Sequence, residues 1–241
     1  PTIYPISARH GRKSRILVGP RWFVGVDSLM EFVAFIIALA IAYQALKGYR
    51  LTKQRTFWYV YFSFAVLSAG LLTDSLAGFL GFLARAPKGT LALTQIGYGL
   101  YFLAQLLAYG LLIYAYVSQT RNLTGRSTPV LSASILAFAT LQATPALPLK
   151  LLGFQVEYHP ITEIVLLFLV TYVAVHTGMN YSATKDRNAL LVFLAFFFLA
   201  LSHLFFILMP IGPVLFVIGH VLQLSGFVAL LAMLLRVTAS K

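Results

Sequence analysis

The chain contains no cysteine, and only six of its 241 residues are acidic. Without thiols there are no disulfides, no thiolate nucleophile and no Cys-ligated zinc or iron–sulfur cluster. Charged residues of both signs make up 10% of the sequence, against about a quarter in a soluble domain. Such a chain has too little polar surface to cover itself in water, so its solvent is lipid. Sequence signatures of catalysis are missing too. There is no H-E-x-x-H, G-x-S-x-G or Walker loop, and the run from Gly97 lacks the third glycine of a G-x-G-x-x-G. The expectation therefore leans away from an enzyme. Asp74, His203 and His220 have side chains of types that suit zinc, but no hydrolase motif surrounds them. Nor does the start read as a signal peptide: Arg9 to Arg15 is basic, but the apolar "ILVGP" that follows is too short.

What is present is apolar. The composition is 60% hydrophobic with mean hydropathy +0.86. The net charge of +12 does not point to nucleic acid, because Lys and Arg fall between and outside the apolar runs, where they set topology. A helical span needs about 20 apolar residues. Seven stretches qualify: Ser28–Leu46, Phe57–Leu80, Leu93–Val117, Val130–Thr144, Ile161–Tyr181, Ala189–Met209 and Val214–Val237. The fourth is the shortest and ends where Pro145 and Pro148 break a helix. The expected fold is an all-α integral membrane protein of seven transmembrane helices. A basic segment, 1–27, lies at the interface or outside, and a single membrane domain covers 28–241. Ser28 and Glu31 read as a capping box, and Ala34, Ala38 and Ala42 as a smooth packing face.

Lys47, Arg50, Lys53, Arg55, Arg121, Arg126, Lys185 and Arg187 lie in loops on one side; Arg85, Lys88 and Lys150 lie on the other. By the positive-inside rule the first side is cytoplasmic, with the N-terminus outside and the C-terminus inside. The basic N-terminal segment opposes that rule and, with Trp22 and Phe23, suits the membrane surface. Sequons at Asn122 and Asn180 then fall on the cytoplasmic side.

Two loops are alike. "YRLTKQR" (Tyr49–Arg55) and "YSATKDR" (Tyr181–Arg187) align at an offset of 132 residues, pairing Tyr49 with Tyr181, Lys53 with Lys185 and Arg55 with Arg187. The same offset pairs Glu31 with Glu163, Phe64 with Phe196 and Leu67 with Leu199. An offset of 122 pairs Ile96–Tyr98 with Ile218–His220. These matches predict a 3+1+3 parallel repeat: repeat A over about 28–117, a connector helix over about 130–144 and repeat B over about 161–237. The six loop residues are expected to anchor at anionic lipid headgroups on the cytoplasmic side.

The 3+1+3 layout resembles the SWEET sugar transporters and the microbial rhodopsins. The rhodopsin resemblance would imply retinal, but Val214–Val237 contains no Lys to hold it. The proline pattern of the SWEET bundles is absent as well. "ALSHLFF" and "GHVLQLSGF" resemble uncharacterised archaeal multi-pass membrane proteins, which imply no activity.

Ionisable residues inside a span are costly and are functional candidates. Asp74, His203 and His220 qualify. Counted from Arg55, Arg187 and Arg236 at about 1.5 Å per residue, all three come out at one height in the outer half. Tyr98 and Gln223 fall nearby, and Gln105 nearer the midplane. Three functions follow. The first is a small-molecule or ion permease whose polar site uses these six residues. The second is a redox subunit holding haem b or a metal between His203 and His220. The third is a sensor or accessory subunit, working as a homo-oligomer or within a complex. Plainer roles stand beside them: Asp74 capping a separate outer helix from Ser75, the histidines as interhelical glue, Glu31 in its capping box and Glu163 at a helix dipole.

Overall fold

A computed structural model describes residues 23–84, 89–124 and 160–239. The described residues form six long helices: α1 (Val24–Thr52), α2 (Arg55–Ala84), α3 (Gly89–Thr124), α4 (Pro160–Thr184), α5 (Arg187–Leu208) and α6 (Pro213–Ala239). All six are long and apolar enough to cross a bilayer, so the chain is a multi-pass membrane protein in contact with lipid. Helices are the natural solution there, because each satisfies its own backbone polar groups in hydrocarbon. The expected span over Val130–Thr144 lies outside the described residues.

Two three-helix hairpins organise the bundle. α2 packs between α1 and α3, and α5 between α4 and α6. The hairpins meet along two seams, α1 on α6 and α3 on α4. The alanine face closes as expected: Ala34, Ala38 and Ala42 are buried. The core continues through Phe64, Leu67 and Leu71 on α2, Leu166 and Val170 on α4, and Phe196 and Leu199 on α5. The outer faces keep large apolar side chains exposed, among them Phe168 at 73%, as lipid contact requires.

The two turns that align in sequence also match in conformation. Lys53 and Lys185 adopt left-handed backbone, with φ of 58° and 53°. Each donates its N–H to the carbonyl of Tyr49 or Tyr181 at 2.8 Å. Thr52 and Thr184 donate their hydroxyls to the carbonyl four residues back, both at 2.9 Å. The Lys53 and Lys185 ammoniums lie 5.8 and 5.4 Å from the ring centres of Tyr49 and Tyr181. Asp186 then caps α5, its carboxylate accepting from the Asn188 and Ala189 N–H groups. The opposite turn, between α5 and α6, is a short 3-10 segment (Met209–Ile211) followed by Pro213 at the start of α6, a position where its missing N–H costs nothing.

Two local expectations are corrected. α1 starts at Val24 with no side-chain cap, so Ser28 and Glu31 are interior residues and not a capping box. The Ser28 carbonyl instead accepts the Ser75 hydroxyl of α2 at 2.8 Å. α2 runs unbroken through Asp74, so Asp74 caps no separate helix.

Candidate functional site

Each of the six helices sends an ionisable or hydroxylated side chain to one level, near the ends away from the Lys53 and Lys185 turns. α1 brings Asp27 and Glu31, which are four residues apart and share a face. α2 brings Asp74, a side-chain hydrogen-bond partner of Glu31. α6 brings His220, whose Nε2 is 2.7 Å from Asp27 Oδ1 and 4.0 Å from Glu31 Oε1. This is the α1–α6 seam.

The α3–α4 seam is built in parallel. Tyr98 on α3 donates its hydroxyl to Glu163 Oε1 on α4 at 3.1 Å and lies 3.3 Å from the Thr162 hydroxyl. Glu163 Oε2 meets His203 Nδ1 on α5 at 2.8 Å. His203 Nε2 meets the Tyr109 hydroxyl at 3.1 Å. Glu163 and His203 are almost sealed, with side chains 6% and 1% exposed. A third group joins the seams: Tyr101 on α3 accepts from both Gln105 and Gln223. Gln105 also hydrogen-bonds Tyr109, extending the polar line toward mid-helix.

Close backbone approach makes these contacts reachable. A Cβ at Gly97 would stand 2.6 Å from Ala77 Cβ and 3.3 Å from Asp74 Oδ1, and one at Gly219 would stand 2.5 Å from the Phe206 ring. Side chains at either position would push α3 off α2, or α6 off α5.

The sequence-derived candidates are thus split between two groups. Asp74 and His220 belong to the α1–α6 group, Tyr98 and His203 to the α3–α4 group, and Gln105 and Gln223 to the bridge. His203 and His220 do not face each other. The Phe206 ring stands between them, 6.2 and 4.9 Å from the two imidazole centres. Both nitrogens of His203 are already engaged, so the pair does not fit axial ligation of a haem. The glue reading of the histidines fits His203 better than His220, whose Nε2 faces two carboxylates. Sequence reasoning missed Asp27, and it assigned Glu31 and Glu163 only local roles. The i, i+4 spacing of Asp27 and Glu31 was the available signal.

Tyr49, Lys53, Arg55, Tyr181, Lys185 and Arg187 lie at the opposite end of the bundle from this polar layer. Lys53, Arg55, Lys185 and Arg187 are exposed, and Tyr49 packs on Trp58 with ring centres 5.1 Å apart. No protein-family model, curated protein or solved structure matches this chain.

Proposed function

We propose that the protein is a proton-coupled permease of the cell membrane for a small molecule or ion. It is built from two parallel three-helix units that move against each other along their seams. One observation carries this reading: a polar contact at each seam joins residues that correspond under the sequence offsets. Tyr98 meets Glu163 across α3–α4, and its counterpart His220 approaches Glu31, the counterpart of Glu163, across α6–α1. Gly97 packs on Asp74 as Gly219 packs on Phe206, the residue 132 positions on. Ionisable side chains are costly in hydrocarbon, and placing them where two units meet lets movement change their exposure.

The direction of the helices supports the seven-span layout. Tyr98 and Glu163 lie toward the starts of α3 and α4, so these two helices enter from the same face. The chain between them then has to recross the bilayer, and the apolar stretch 130–144 is suited to do so. The positive-inside rule favours the cytoplasm for the side of the basic turns, where the exposed Lys53, Arg55, Lys185 and Arg187 are suited to anionic headgroups. The arrangement is of the SWEET type, without that family's motifs.

The test is flux. Purified protein is reconstituted in vesicles containing a pH-sensitive dye, and panels of cations, sugars and amino acids are added outside. We expect one class to move protons faster than in empty vesicles, and Glu163→Gln to abolish the movement. The reading fails if no addition moves protons or its own tracer above the empty-vesicle rate.

A further inference from the structure

The α1–α6 seam gathers three carboxyl groups, Asp27, Glu31 and Asp74, around one histidine. We propose that Asp27, Glu31 and His220 form a binding site for a divalent transition-metal cation of the zinc class. This does not rest on the permease reading, since it concerns equilibrium binding.

Three observations converge. The first is spacing: one ligand atom from each residue lies within 4.8 Å of the others. A four-coordinate ion with bonds of about 2.0–2.2 Å needs ligand atoms about 3.3 Å apart. The 2.7 Å Asp27–His220 distance must open by roughly 0.6 Å, and the 4.0 Å Glu31–His220 distance must close by a similar amount.

The second is the imidazole tautomer. His220 Nδ1 is 3.0 Å from the Phe216 carbonyl oxygen. A carbonyl only accepts, so Nδ1 carries the hydrogen. Nε2 then faces carboxylate oxygens, so either a proton or a metal cation stands between them, and the two compete for the same place. The Nδ1–H to backbone-carbonyl bond is also the usual support for a metal-ligating histidine.

The third is poor alignment. Asp27 Oδ1 is buried and stands 2.7 Å from His220 Nε2, without the alignment of a full hydrogen bond. With the proton of the Glu31–Asp74 hydrogen bond on Asp74, the Asp27 and Glu31 carboxylates, a neutral imidazole and a divalent cation sum to zero charge, the condition for keeping such groups out of water. Asp74 stands behind Glu31 as its hydrogen-bond partner, and the Phe23, Phe206 and Phe216 rings wall the imidazole.

The donor set selects the metal. An imidazole with two carboxylates suits zinc, manganese, iron or cobalt rather than magnesium or calcium, which favour all-oxygen shells. Three protein ligands leave an open position, as in sites that exchange or activate a small ligand. The Asp27 side chain is 25% exposed, which leaves an entry route from the outer end of the bundle.

Equilibrium dialysis of the detergent-purified full chain against Zn²⁺ tests this, with bound metal counted by elemental analysis. One equivalent per chain is expected. Glu31→Gln and His220→Gln should each weaken binding at least about tenfold, while His176→Gln, near the other end of α4, should not change it. Asp27→His keeps a ligand atom and should retain binding, which separates ligation from folding. With Co²⁺, visible absorption bands of a low-coordinate site should appear and vanish in His220→Gln. Absence of stoichiometric binding in the wild-type chain, or equal binding by all variants, overturns the proposal. Vesicle flux without metal binding would overturn this site and leave the permease reading standing; the reverse result would do the opposite.

Discussion

Replacing Glu163 with leucine removes the shared acceptor of two helices. His203 Nδ1 loses its 2.8 Å partner, and Tyr98 loses one of 3.1 Å. Tyr98 keeps the Thr162 hydroxyl at 3.3 Å, so the cost falls mainly on an imidazole that is 1% exposed. Leaving such a group unpaired costs about 3 kcal/mol. His203→Leu strands the Glu163 carboxylate instead, at a similar cost of about 3 kcal/mol. In the double variant neither polar partner remains, and Tyr98 and Tyr109 retain Thr162 and Gln105. It should therefore lose only about 4 kcal/mol, where additivity would give about 6. The resulting coupling of about 2 kcal/mol lies near the upper limit found between membrane helices, as suits a sealed pair. The assay is reversible unfolding in mixed micelles by SDS titration, followed by tryptophan fluorescence. Losses that add within about 0.5 kcal/mol would refute the reasoning, because the pair would then not act as a unit.

Other expectations follow from the same contacts. Gly226→Ala should destabilise by about 1–3 kcal/mol, because its Cβ would stand 2.8 Å from the Ala195 carbonyl oxygen. Gly99→Ala, with open space at its Cβ, should be neutral or stabilising; SDS titration reads both. Lys53→Val or Lys185→Val should cost about 1–2 kcal/mol relative to glycine at the same position, because the backbone there is left-handed. The cysteine-free chain permits direct mapping of sides. Gln54→Cys and Ser182→Cys should react with an impermeant maleimide from one face of a vesicle, and Gly212→Cys from the other. Labelling of Gln54→Cys and Gly212→Cys from the same face would refute the hairpin of α1 and α2 or that of α5 and α6.

The spans were legible because apolar length and basic loops are strong, local signals. Six of the seven stretches correspond to α1–α6, with ends displaced by a few residues where polar residues such as Arg55 and Arg187 extend the helices. Asp74, His203, His220 and Tyr98 were legible as a level, since counting from an arginine at the interface gives height. Which of them touch was not legible. Height does not say which way around a helix a side chain points, and the rotation of α5 turns His203 toward Glu163 and Tyr109 and away from His220. Asp27 and Glu31 were obscured by a plausible local motif: Ser28 with Glu31 has capping-box spacing, which placed the helix start just after Asp27. The actual start at Val24 puts both carboxylates inside the helix, on the face toward α6.

The polar layer also bears on how the bundle keeps its vertical alignment. In lipid, smooth apolar helices slide past one another cheaply, because every height presents similar surface. A shift of α4 by one turn, about 5.4 Å, would move Glu163 away from both Tyr98 and His203. The same shift in α6 would carry His220 out of reach of Asp27. A single tier of polar contacts thus indexes six helices to one another, as a buried asparagine sets register in a coiled coil.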